Sequence, residues 1–161
     1  MWITNTDHVV LDNISIIFEN QQIGNGVGAT SIRDNTTYLT LKNSYLYAKN
    51  IGSFAAFTLS WADYCTIDNN TFIMIDTASI CLSYNAYNIQ GVNANSPGAI
   101  NSYNNFTNNY VYQNYMSGSS LGKIQVQAGS NVPTGECNLF ENNTFEGCTI
   151  TFTRNTGDTF I

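Results

Sequence analysis

Apolar and polar residues alternate in short bursts along the chain, and five of the bursts share one frame. They read Leu11-Asp12-Asn13-Ile14-Ser15-Ile16, Leu41-Lys42-Asn43-Ser44-Tyr45-Leu46, Ile67-Asp68-Asn69-Asn70-Thr71-Phe72, Phe106-Thr107-Asn108-Asn109-Tyr110-Val111 and Phe140-Glu141-Asn142-Asn143-Thr144-Phe145. The shared asparagines are 30, 26, 39 and 34 residues apart, the spacing of supersecondary units stacked on one another. Counting that asparagine as zero, positions −2 and +3 are apolar in every copy and are expected to point inward. Position −1 (Asp12, Lys42, Asp68, Thr107, Glu141) is expected to face water. The asparagine suits a left-handed bend between two strands, because its short side chain tolerates positive φ. Stacked amides could form a ladder at position zero or at position +1 (Asn70, Asn109, Asn143), and the pattern leaves both open.

Helical periodicity is nearly absent. Short alternating runs recur instead at Val9–Leu11, Tyr38–Leu41, Phe57–Leu59, Cys65–Ile67, Ile80–Leu82, Ile124–Val126 and Thr149–Phe152, each bounded by turn residues. No two-residue hairpin signal joins neighbouring runs, apart from Asn25-Gly26 in a glycine-rich stretch, so the strands are predicted to stack in parallel. The intervals exceed a minimal coil. Loops are therefore expected at Gln21 to Thr30, Asn85 to Gly98 and Gly118 to Gly135. Five to six coils would make a stub roughly 25 Å tall.

Composition narrows the function classes. Hydrophobic residues make up 43 % of the 161, enough for one domain with a core, but only 10 % are charged. Amides and hydroxyls must build the polar surface, and asparagine alone is roughly one residue in seven. With a net charge of −6 and five basic residues there is no basic footprint for nucleic acid. An acidic polymer would be repelled unless a cation bridged it. No apolar run has transmembrane length, and no signal peptide is visible. Cys65, Cys81, Cys137 and Cys148 lack zinc-site spacing. They read as buried thiols, or as a Cys137–Cys148 or Cys65–Cys81 disulfide.

The repeat, clearest at Ile67–Phe72 and Phe140–Phe145, resembles that of right-handed parallel β-helices of the pectin-lyase-like superfamily. The Asn- and Tyr-rich, Lys-poor composition resembles adhesin-like surface proteins of methanogenic archaea. The resemblance implies an all-β, right-handed parallel β-helix of about five to six coils, one domain over residues 1–161, a fragment of a longer repeat protein. Enzymes of that class use clustered acidic and basic residues on adjacent coils, sometimes with calcium. Asp34, Asp63 and Asp68 are the candidates for such chemistry, with Asp12 and Glu141 in the −1 column and Arg33 beside Asp34. Lys42 between Asp12 and Asp68 reads more simply as charge alternation on a solvated face. His8 is the sole histidine, so histidine-rich metal sites and Ser-His-Asp triads have little to draw on, and it reads as a surface residue. The Gly24-Asn25-Gly26-Val27-Gly28 stretch lacks a following lysine and reads as a turn rather than a phosphate loop.

Outward positions draw more attention. Column +4 carries Ile17, Tyr47, Ile73, Tyr112 and Glu146, and column +2 adds Tyr45 and Tyr110. Tyrosine rings stack on sugar faces and anchor interfaces at low entropic cost. Tyr45, Tyr47, Ile73, Tyr110 and Tyr112 are therefore the candidate binding residues. The expected function is a non-catalytic, cell-surface or secreted module for adhesion or glycan binding, without cofactor. Its partner would be an extracellular polysaccharide, or a cell-surface glycan or protein. A polysaccharide lyase or glycoside hydrolase, with calcium if a lyase, and a purely structural stalk spacer are the alternatives. Open coil ends would favour end-to-end association.

Overall fold

Each repeat becomes a triplet of strands separated by two bends. The computed structural model describes residues 1–19, 28–49, 55–76, 85–90, 103–115, 122–127, 138–153 and 159–161. The first triplet is β1 (Trp2–Thr4), β2 (Val10–Asp12) and β3 (Ser15–Glu19), and the second is β4 (Gly28–Thr37), β5 (Thr40–Lys42) and β6 (Tyr45–Lys49). The third is β7 (Ala55–Asp63), β8 (Thr66–Asp68) and β9 (Thr71–Asp76), and the fourth β10 (Asn85–Gln90), β11 (Asn105–Thr107) and β12 (Tyr110–Tyr115). The fifth is β13 (Gly122–Gln127), β14 (Leu139–Glu141) and β15 (Thr144–Glu146). β16 (Cys148–Thr153) and β17 (Thr159–Phe160) follow.

Every third strand pairs with the next, always in parallel. The first sheet runs β1-β4-β7-β10-β13-β16, the second β2-β5-β8-β11-β14-β17 and the third β3-β6-β9-β12-β15. The register aligns the repeat column for column. Leu11, Leu41, Ile67, Phe106 and Phe140 are successive partners, as are Ile16, Leu46, Phe72, Val111 and Phe145. A one-residue slip would turn each strand's apolar set outward, which is why the alternation specifies the register so strongly. Among the described residues all regular structure is β, and no helix is long and apolar enough to cross a membrane.

The interior among the described residues is largely apolar. Leu41, Ile67, Phe106, Phe140, Leu46, Phe72 and Val111 are buried, as both inward columns require, and Ile32, Phe57 and Leu59 join them from the first sheet. The Phe57 and Phe72 rings meet edge-on, their centroids 5.2 Å apart, an arrangement the ring quadrupole favours. The ends of the columns, Leu11, Ile16 and Phe145, are half-buried. Column −1 is drier than expected: Asp12 is exposed, but Lys42, Asp68, Thr107 and Glu141 are half-covered by their parallel neighbours.

All five repeat asparagines take the left-handed conformation, with φ between 51° and 55°. Both amide columns are used, in different surroundings. At position zero the contacts are exposed: Asn43 Nδ2 donates to Asp12 and Asn69 Nδ2 to Asn43, each at 2.8 Å. At position +1 the ladder is buried. Asn109 Oδ1 accepts from the Asn70 backbone at 2.9 Å, and Asn143 Oδ1 accepts from the Asn109 backbone at 2.9 Å. The amide nitrogens of Asn70, Asn109 and Asn143 reach back to the carbonyls of Leu41, Ile67 and Phe106. These bonds satisfy the N–H groups of the bend residues and give the mid-strand carbonyls of Leu41, Ile67 and Phe106 a side-chain donor.

All three expected loops need correction in part. Asn85–Gln90 and Gly122–Gln127 are strands of the first sheet, and the Gln21 to Thr30 segment already enters β4 at Gly28. β10 and β13 do alternate, with Tyr87 and Ile89 paired to Ile124 and Val126, but no copy of the asparagine frame marks them off from the polar segments around them. The Ile80–Leu82 run and the remainder of these segments lie outside the described residues.

Candidate binding faces

The third sheet turns columns +2 and +4 outward. Register places Ser15, Tyr45, Thr71, Tyr110 and Thr144 in one row, and Ile17, Tyr47, Ile73, Tyr112 and Glu146 in the next. All five candidate binding residues therefore share one face. Tyrosine pairs stand on alternate strands, β6 and β12, with Thr71 and Ile73 of β9 between them. Two strand spacings, about 9–10 Å, separate the pairs. The Tyr45 and Tyr47 rings are near parallel with centroids 6.3 Å apart. Tyr110 donates its hydroxyl to a Glu146 carboxylate oxygen at 2.8 Å, and this bond, with the nearby charge, raises the phenol's pKa. Ile17 is well exposed, whereas Tyr47, Ile73, Tyr110 and Tyr112 are half-buried.

A second aromatic feature lies at the bend between the first and second sheets. His8, Tyr38, Tyr64 and Tyr103 occupy it, all with φ between 51° and 57°. Their rings stack in one row with centroids 4.8, 5.1 and 5.0 Å apart and planes within 19° of parallel. The three tyrosines are 45–48 % exposed. Each of the four precedes its repeat asparagine by five residues, a constant offset that the sequence carries but that unlike residue types conceal. Just inside this row runs another buried ladder: Asn104 Oδ1 accepts from the Cys65 backbone, and Asn138 Oδ1 from the Asn104 backbone.

Tyrosine is a poor steric choice for this bend. A bulky residue in the left-handed region costs about 1–2 kcal/mol, and a stacked aromatic pair returns about 0.5–1.5 kcal/mol. The bend before the third sheet solves the same geometry with asparagine in all five copies, at little strain. Stacking thus roughly offsets the strain without making tyrosine the better local choice.

The acidic candidates do not share one sheet. Asp63 ends β7 of the first sheet and Asp68 ends β8 of the second, so the length of β8 separates them. Asp68 Oδ1 accepts from Thr107 at 2.6 Å and from Asn108 at 2.8 Å, which commits the carboxylate to neighbours in the next triplet. Arg33 and Asp34 lie in β4, and their side chains fall outside the described residues. Asp12 is held below the usual carboxylate range by the Asn43 amide and then by Lys42, 3.3 Å away. Asp7 is lowered likewise by the Thr37 hydroxyl and by His8.

Cys65 is a buried free thiol, which removes the Cys65–Cys81 disulfide. Burial pushes its pKa up to about 11. Among the described residues no three His, Cys, Asp or Glu side chains converge as a metal site would need. Cys81 and Cys137 lie outside the described residues, as does the side chain of Cys148. Compared with known proteins, the chain matches no protein family, no curated protein and no solved structure.

Proposed function

We propose that the strand triplets wind as a right-handed parallel β-helix of five to six coils, and that the third-sheet face of this domain binds glycan without catalysis. The observation that carries the reading is the pair of tyrosine-bearing strands, β6 and β12, set either side of Thr71 and Ile73. Sugar rings present C–H groups on one side and hydroxyls at the rim. Phenol rings accept the first by stacking and the second by hydrogen bonding. Thr71 and Thr144 add hydroxyls to the same face, and the small number of charges suits a neutral ligand. A net charge of −6 disfavours an acidic polysaccharide. The use of Asp68 in hydrogen bonds to Thr107 and Asn108 supports a non-catalytic role over a lyase or hydrolase.

Such a module acts outside the cell or at its surface, where extended polysaccharides and cell-surface glycans are available. A glycan array probed with the wild-type chain and with Tyr47→Ala and Tyr112→Ala tests it. Binding to neutral glycans that both substitutions weaken roughly tenfold is the expected result. No binding by the wild type, or binding that neither substitution changes, would refute the reading.

A further inference from the structure

The row of His8, Tyr38, Tyr64 and Tyr103 is closed to stacking ligands, because its rings spend their faces on one another at 4.8–5.1 Å. What it leaves in solvent is phenol, since the three tyrosines are 45–48 % exposed. A phenol that loses one electron and its hydroxyl proton becomes a phenoxyl radical. Its unpaired spin is shared with the ring carbons ortho to oxygen. Two such radicals join ortho carbon to ortho carbon when they are held as neighbours.

Backbone pairing supplies that neighbourhood. The tyrosines occupy equivalent left-handed bends of successive triplets, and the Tyr38 N–H donates to the Asp63 carbonyl beside Tyr64. The buried Asn104 and Asn138 amides hold the same bend from within. Successive tyrosine rings are thereby kept 5.0–5.1 Å apart, with planes 9–14° from parallel. Their exposed ends still move between rotamers within picoseconds to nanoseconds, so ortho carbons can meet. The third sheet lacks this arrangement, because β9 sets the tyrosines of β6 and β12 about 9–10 Å apart. Asparagine would also fit the strained backbone of the row better than tyrosine, and strain kept at exposed positions is an outlier from which function is inferred.

We propose that the row is an oxidative cross-linking site, at which a one-electron phenol oxidant joins Tyr64 to Tyr38 or to Tyr103. A peroxidase with hydrogen peroxide is an oxidant of this class. Each phenol gives up its O–H hydrogen, one carbon–carbon bond forms, and each displaced ortho hydrogen passes as a proton to its ring's oxygen. Hydrogen peroxide takes up the two hydrogens lost and becomes two molecules of water. The link ties one triplet covalently to the next, where backbone pairing alone joined them.

The whole chain, kept dilute, is treated with a haem peroxidase and hydrogen peroxide. Dityrosine fluorescence is expected in protein that still runs as a monomer on a denaturing gel. Its linked peptides should join Tyr38 to Tyr64 or Tyr64 to Tyr103. Tyr64→Phe keeps a ring in the stack but removes its phenol, leaving Tyr38 and Tyr103 two strand spacings apart. It should lower dityrosine in the monomer at least about fivefold, with the circular dichroism spectrum retained. Tyr47→Phe, on the third sheet, should leave the yield within about twofold.

No dityrosine in the wild-type monomer would overturn the proposal. So would linked peptides drawn only from other tyrosines, or an undiminished yield in Tyr64→Phe. Should Tyr64→Phe fail to fold, the peptide map of the wild type decides by itself. Cross-linking does not rest on glycan binding, so either reading can fail without the other.

Discussion

Small side-chain choices decide what each bend tolerates. Asp12 is exposed and hydrogen-bonded to Asn43, with Lys42 as a second, weaker support. Its pKa in the folded chain lies below the ordinary value of 3.8. Its contribution to stability is therefore present above that ordinary value and disappears as pH falls through the lower, folded one. Melting temperatures followed from about pH 5 to about pH 2 should fall less steeply in Asp12→Asn than in the wild type. Gly147 shows the opposite kind of constraint. Its φ is 69°, and a Cβ there would run into the carbonyl oxygen of Gln113. Gly147→Ala should cost more than the about 1 kcal/mol of left-handed strain alone, read as a shift in the urea midpoint. The clash is with backbone, so no rotamer change relieves it.

Ladders and rows are properties of elements, and the two asparagine columns differ sharply at this scale. Asn109 is buried, accepts from Asn70 and donates to the Ile67 carbonyl and to Asn143. Asn109→Ala strands several buried groups and should destabilise the chain by about 2 kcal/mol or more. Asn108 is exposed, and Asn108→Gly should cost only a few tenths of a kcal/mol, because glycine accepts the same backbone. Equal losses in denaturant titrations would contradict this division. Much of it was legible beforehand. The inward columns and the left-handed asparagines repeat in type as well as in place, so the pattern shows them. Which amide column is buried was not legible, because both hold asparagine. The first sheet was legible only in part: β7, β13 and β16 hold alternating runs, but the asparagine frame does not reach this sheet, and β10 and β13 fall in segments that read as loops. The stacked row was hidden for another reason: Tyr38, Tyr64 and Tyr103 share an offset from the repeat with His8 but not its residue type. Of the binding candidates, the five on the third sheet follow from period two alone. That Asp63 and Asp68 end strands of different sheets needed the strand boundaries.

At the scale of the whole molecule, parallel pairing joins each triplet only to the one before and the one after. Cooperation is thus passed from neighbour to neighbour along one direction. The intervals of 30, 26, 39 and 34 residues differ, yet the columns stay aligned, so the connecting segments absorb every difference in length. This gives the chain an unusual unit of change. Removing residues 43–68 would join Lys42 to Asn69 and bring β3 beside β9, β4 beside β10 and β5 beside β11. Ile16 would then meet Phe72, and Leu41 would meet Phe106, apolar to apolar throughout. The shortened chain is expected to keep a β-type circular dichroism spectrum and a single cooperative melt. Removal of Ile67 alone should abolish that melt, because it turns one strand inside out. Within the strand triplets the molecule can lose twenty-six residues more easily than one, because there its length is free to change only in whole rungs.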